Sequence, residues 1–253
     1  MSSGMFSVWV VLGIENPFGQ SRSLVTFVDQ ETADEWWRAI SENAEAAALV
    51  RRLTPQLYSY TRESWGDDSQ TPNLLTARGR FANVTHRFLG KFVLEFRVQQ
   101  ADGTLDRAAF TLNPGPQQVT DRVSGNWFCI RSKIAPHFYW INDGSGCIKL
   151  SDKGRSRFQV AIHNPGPTVP EKAVMIPSDH ITIRTSGGAY LGLQHAEGRK
   201  VLTVTETLQT AFRFSELAAG NFGCAGGCLQ DGASLCFIEG AAPGAGEAWE
   251  LVQ

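Results

Sequence analysis

The stretch ITIRTSGGAYLGL, residues 181–193, has a counterpart about fifty residues upstream in FCIRSKIAPHFYWI, residues 128–141. Each places an apolar residue two positions before Ile-Arg, continues with Ser or Thr, crosses a small turn and re-enters an aromatic or apolar run. Short alternating runs bounded by turn residues read as half-buried strands. Laying Ile130-Arg131-Ser132 over Ile183-Arg184-Thr185 brings HFYWI over AYLGL, GCIKLS over KVLTVT, and SRFQVAI over TAFRFSEL. Each unit reads as four short strands closed by an aromatic residue, Phe158 and then Phe212. A weaker third unit, GNFGCAGGCLQDGASLCFIEG followed by EAWELV, places Trp249 in the closing position.

Three four-stranded units of roughly forty residues resemble a β-trefoil, and Gly188-Ala189-Tyr190-Leu191 is similar to a strand start in fascin-like and lectin-like trefoils. The resemblance covers roughly residues 124–252 and extends in general character to the lectin-like trefoils of mushrooms. It implies that each unit supplies one third of a barrel and a hairpin cap. It also implies a recognition module, although trefoils host sugar binding, protease inhibition, receptor binding and actin bundling, so the fold alone does not choose. The Gln-x-Trp signature of ricin-type lectins occurs in none of the units, and that family's sugar-binding residues are not carried over.

Residues 1–120 follow another grammar. VWVVLG and SLVTFVD read as strands on either side of IENPFGQSR, whose Pro and Gly mark a connection. TADEWWRAISENAEAAALVRRL then changes period, with Ala33, Trp36, Trp37, Ile40, Ala44 and Ala47 at helical spacing. Thr32 with Glu35 fits a capping box at its start, and Pro55 marks its stop. Adjacent helical residues diverge by about 100°. One of Trp36 and Trp37 is therefore expected in the core and the other against a neighbouring sheet or a partner. QLYSYTR, RFANVTHRFL, KFVLEFRVQQ and LDRAAFTL read as further strands, with ADGT a hairpin turn between the last two. In the polar loop RESWGDDSQTPN, Trp65 is a candidate contact, and Asp67-Asp68 alone are weak cation ligands. The expected fold is an α+β domain over 1–120, with one helix near 32–50, a break at NPGPQQ (113–118), and an all-β, trefoil-like domain over 124–253.

The 23 basic and 25 acidic side chains leave a net charge of −2, without a clustered Lys/Arg stripe, which argues against nucleic acid as a partner. FSVWVVLGI is too short to span a bilayer and lacks a basic leader, so a soluble, cytoplasmic protein is expected. All five cysteines lie in the second half, and an odd count leaves a free thiol, as suits a reducing compartment. Cys224 and Cys228 have a spacing that metals use, but zinc needs about four ligands and no second pair matches. Neither a metal nor another cofactor is expected.

For ligand binding, APHFYWINDGSG gathers Tyr139, Trp140, Asn142 and Asp143 at a strand-to-turn junction. Sugars are held by an aromatic face on their C–H groups and by amides or carboxylates on their hydroxyls. Alternating core aromatics and an ordinary Asn-Asp-Gly turn account for the same residues. The matching turns offer Gln194 and His195, beside Glu197, and then Asp231 after Gln230. Five histidines and five cysteines permit a Cys–His dyad on paper, but no G-x-S-x-G, H-E-x-x-H or phosphate loop is present. The leading expectation is a non-catalytic protein that binds a glycan or glycoprotein. The alternatives are a protease inhibitor or scaffold using loops such as HNPGPTVPEK, or an enzyme with its site between the domains.

Overall fold

Phe6, Val8 and Val10 alternate along the first strand, β1 (Phe6–Leu12), and all three are buried. In the computed structural model β1 pairs antiparallel with β2 (Arg22–Phe27) and parallel with β4 (Leu57–Tyr60). With β3 (Val50–Thr54) and β5 (Phe92–Val98) at the ends, the sheet order is β3-β4-β1-β2-β5. The structure describes residues 5–12, 22–48, 50–60, 84, 86–88, 90–98, 119–196, 198–224, 226–240 and 246–253. They fall into two units, Met1–Asp121 with Pro167–Val174, and Arg122–Gly166 with Met175–Gln253.

In the first unit, helix α1 (Gln30–Ser41) buries Ala33, Trp36 and Ile40. The Trp36 ring stacks on Tyr58 at 5.7 Å, and Trp37 reaches the same tyrosine at 5.2 Å in a tilted arrangement, so both tryptophans serve one core. The helix starts earlier than the capping-box reading places it: Asp29 is the N-cap and accepts from the Thr32 N–H at 2.8 Å. Aspartate satisfies that free donor as well as threonine does. The helix also stops at Ser41. A single further turn, α2 (Ala44–Ala47), is capped by Asn43, and Ala44 and Ala47 are exposed. Val50-Arg51-Arg52-Leu53, expected as helix, is strand β3, and Pro55 lies in the β3–β4 turn. His86–Phe88, expected as strand, is a 3-10 turn. LDRAAFTL, ADGT, NPGPQQ and the loop with Trp65, Asp67 and Asp68 lie outside the described residues.

A buried charge cluster closes this unit. The Arg52 side chain, 6% exposed, donates to Asp121 Oδ1 at 2.7 Å and lies 3.5 Å from the carboxylate of Asp34, itself 2% exposed. Burial pushes the neighbouring Tyr58 phenol far above its ordinary range; Arg52 opposes that rise and Asp34 adds to it. A phenol that resists ionisation only when folded makes the unfolded state release its proton first. Stability therefore falls as pH rises above the unfolded value of about 10, by up to about 1.4 kcal/mol per pH unit. Ultraviolet titration of the four tyrosines is expected to show one that ionises only with unfolding. A fully reversible titration of all four in the folded protein would contradict this.

The regular elements of the second unit are strands, apart from one short helix. In chain order they are β6 (Trp127–Ser132), β7 (Tyr139–Asn142), β8 (Ile148–Ser151), β9 (Phe158–Ile162), β10 (His180–Thr185) and β11 (Tyr190–Ala196). The remainder are β12 (Arg199–Thr205), β13 (Phe212–Arg213), β14 (Phe222–Cys224), β15 (Leu235–Phe237) and β16 (Trp249–Val252). β9 joins β6 to β10, β13 pairs with β10, and the final strand β16 returns to pair with β6. Registers repeat: Phe128 faces Phe158 as Ile181 faces Phe212, and Phe158 faces Thr185 as Trp249 faces Ser132. The hairpins β7-β8 and β11-β12 and strand β15 meet in a cycle. Cys147 bridges to Thr203, Val201 pairs with Cys236, and Ser234 bridges to Lys149.

One core fills this unit, with Phe158, Phe212 and Trp249 all buried among Phe128, Trp140 and Phe222. Tyr139 pairs with Arg131 as Tyr190 pairs with Arg184, which shifts the second strands by one residue from the HFYWI-over-AYLGL alignment. The turn before Tyr139 is longer, and a one-residue slip in a strand exchanges its faces. Trp140 and Leu191 consequently occupy matching, fully buried positions. Two further differences stand out. A short helix, α3 (Phe214–Ala218), follows β13, and the stretch after it that reads as the weaker third repeat contributes three strands among the described residues.

Candidate functional site

Strand β11 ends in Gln194-His195-Ala196 and turns back through Gly198, at φ +73°, into Arg199-Lys200 of β12. Across from this hairpin end lie β14, β15 and the backbone at Gly246-Glu247. Between them is a cleft of about 640 Å³. His195, Arg199, Lys200, Glu239 and Glu247 are among its polar lining. Leu229, Phe237 and Ile238 supply its apolar surface. Gly246 is required by close approach: a Cβ there would lie 2.2 Å from the Gly220 carbonyl oxygen and 2.8 Å from that of Phe222.

The polar groups are held in place. Lys200 forms an ion pair with Glu239, whose side chain is 66% exposed. Glu247 accepts from Ser132 Oγ at 2.8 Å, which fixes one oxygen, while its backbone N–H donates to the Phe222 carbonyl. Cys224, Cys228 and Cys236 also line the cleft. Burial raises the Cys224 thiol above its ordinary range, helped by Glu247 and the other two cysteines, and burial likewise raises Cys236 against the opposing charge of Arg199. Nucleophilic cysteines need the opposite shift. The cleft therefore places His195 among thiols without activating Cys224 or Cys236. Among the described residues no group of three or more His, Cys, Asp or Glu is arranged to hold a metal ion.

The structure separates the residues singled out in the sequence. Trp140 is fully buried against Phe158, Phe222 and Trp249, so its ring cannot receive a ligand. Tyr139 is half-buried beneath the Arg155 guanidinium at 5.7 Å. Asn142 Oδ1 accepts from the Gly144 N–H at 3.2 Å. Exposed Asp143 is bonded through both oxygens, to the Ser145 N–H at 2.9 Å and Lys149 Nζ at 2.8 Å, and these bonds hold its carboxyl well below the usual range. Asp231 is lowered similarly by Lys153 at 2.6 Å. Of the seven, His195 reaches the cleft, and Gln194 is its exposed neighbour in β11. Arg199, Lys200, Glu239 and Glu247 escaped the sequence reading. The Arg-Lys pair opening a strand after a glycine turn was the signal available, and it lacked the partner strand that creates the cleft.

No known family model, curated protein or solved structure matches the chain. Among the described residues no helix is long and apolar enough to cross a membrane.

Proposed function

We propose that the chain is a non-catalytic carbohydrate-binding protein whose second unit is a β-trefoil serving as the recognition module. The trefoil reading is supported by the recurring registers of the closing aromatics and by the three-way cycle of hairpin bridges. The observation that carries the binding reading is the cleft with the Lys200–Glu239 ion pair on its walls. Vicinal hydroxyls of a saccharide match such a pair, one donating to the carboxylate while its neighbour accepts from the ammonium. Leu229 and Phe237 offer apolar surface for the C–H face of the ring. In the protein-binding alternative, residues 164–168 and 170–172 of HNPGPTVPEK are exposed and open to a partner.

A glycan array probed with the wild-type protein is expected to show binding to a defined subset. Removing a charged acceptor from a desolvated hydroxyl contact costs about 1.5–3 kcal/mol, or roughly tenfold and more in affinity. Glu239→Ala is expected to lose binding by that factor with an unchanged melting temperature, and Asp143→Ala is expected to keep it. No glycan bound by the wild type ends the carbohydrate reading. Loss with Asp143→Ala but not Glu239→Ala would move the site to the first hairpin.

A further inference from the structure

We propose that the outer face of the β6-β9-β10-β11 wall binds an acidic saccharide, with its carboxylate on Arg184 and a sugar ring on Trp127. Trp127 pairs with Gln159, Gln159 with Arg184, and Arg184 with Tyr190. Residues directly opposite on paired strands share a face, so the four form one row. The row faces outward, since the residues that alternate with it, Phe128, Phe158, Val160, Ile183 and Leu191, are buried. Trp127 is 39% exposed. Two strand spacings separate it from Arg184, about 10 Å, a reach that two linked pyranose rings cover. None of the four residues lines the cleft, so the inference does not depend on what the cleft binds.

Two equivalent arginines show why the ligand is an anion. Arg131 and Arg184 occupy matching places in the repeated registers, each opposite a tyrosine. On its other side Arg131 faces Glu250 of β16 and donates to that carboxylate from Nε at 2.9 Å and Nη2 at 2.5 Å. Arg184 faces the neutral Gln159 in the same position. Among the described residues its guanidinium meets no carboxylate: it lies over the Tyr190 ring at 4.6 Å, and its Nε donates to the Gly188 carbonyl at 3.3 Å. These contacts hold the plane in place and leave the two terminal nitrogens for an anion, and a carboxylate matches such a fork. Gln159 Nε2 is fixed on the Gly125 carbonyl at 2.9 Å, which leaves its Oε1 to accept from a hydroxyl. Trp127 supplies an aromatic face for the C–H side of a ring. A carboxylate, a hydroxyl and a ring on one ligand describe an acidic sugar, whereas a neutral sugar leaves the guanidinium charge unused.

The test titrates the full chain by calorimetry with a tetrasaccharide of alternating glucuronate and N-acetylglucosamine, and with the neutral N-acetylglucosamine tetramer. The acidic probe is expected to bind, and to bind more weakly as salt rises. A hydrogen bond to a charged group is worth roughly tenfold and more in affinity, so the neutral probe and Arg184→Gln are each expected to lose about that factor. Gln159→Glu, which supplies the carboxylate that Arg131 already has in Glu250, should lose binding too, by occupying the guanidinium. Both changes keep a long polar side chain at a half-buried position and should retain the melting temperature. Arg131→Gln and Glu239→Ala should bind like the wild type, the second separating this wall from the cleft. No binding of the acidic probe, equal binding of the neutral one, or unchanged affinity in Arg184→Gln overturns the proposal. Binding of a polyglutamate peptide in place of the saccharide, or equal loss in Arg131→Gln or Glu239→Ala, does so as well.

Discussion

Trp249→Ala is expected to destabilise the second unit by about 3–5 kcal/mol, the cost of truncating a large buried aromatic. Its side chain is 1% exposed and lies edge-on to Trp140 at 5.6 Å. The indole N–H donates to the Phe222 carbonyl at 3.0 Å, while the backbone pairs with Ser132 of β6. One residue thus joins the last strand, the first strand of this unit and β14. The Phe222 carbonyl keeps a second donor, the Glu247 N–H, so the lost hydrogen bond adds only about 0.5–1.5 kcal/mol and the cavity dominates. Trp249→Phe, which fills most of the volume, should cost less than half as much. Urea unfolding followed by circular dichroism checks both, read as a lower midpoint at unchanged slope. A midpoint within error of the wild type for Trp249→Ala would mean that this residue does not close the core.

The burial of Phe158, Phe212 and Trp249 was legible because each closes a repeated strand pattern, and patterns of period two report faces directly. Register was less legible. Aligning 137–141 with 189–193 misplaces Tyr139 by one residue, since sequence spacing does not reveal the length of the turn before it. In the first unit Val50–Thr54 looked helical because it continues a helical run. Its pairing with β4 overrides that local preference, a long-range effect that no window of sequence contains.

The candidate site was legible in even smaller part. Clustered aromatics at 138–140 drew attention to Trp140, whose ring the core absorbs. Asp143 and Asp231 looked like ligand acceptors, yet each is taken up by a lysine. The cleft instead depends on juxtaposing residues 195–200 with 223–247, which pairing of β12 with β15 brings about. Such a surface has no local signature.

In the first unit Arg52→Ala is expected to cost about 3–5 kcal/mol, the penalty for removing one partner from a buried charge pair. Asp34 would stay buried on α1 with Gln30 Nε2 at 3.4 Å, and Asp121 would lose its 2.7 Å donor. The guanidinium is itself incompletely satisfied, since its Nε and Nη2 make no hydrogen bond. The loss therefore arises mainly from removing the cation that lies between two carboxylates, not from forfeiting a strong pair. That distinction is measurable. Asp34→Ala combined with Arg52→Ala should cost less than the two single losses added together, with a coupling of about 0.5–3 kcal/mol, as for residues sharing one network. Strict additivity would show that Arg52 acts through its aliphatic stem alone. A loss below about 1 kcal/mol for Arg52→Ala would instead place the cluster with exposed ion pairs, which contribute little.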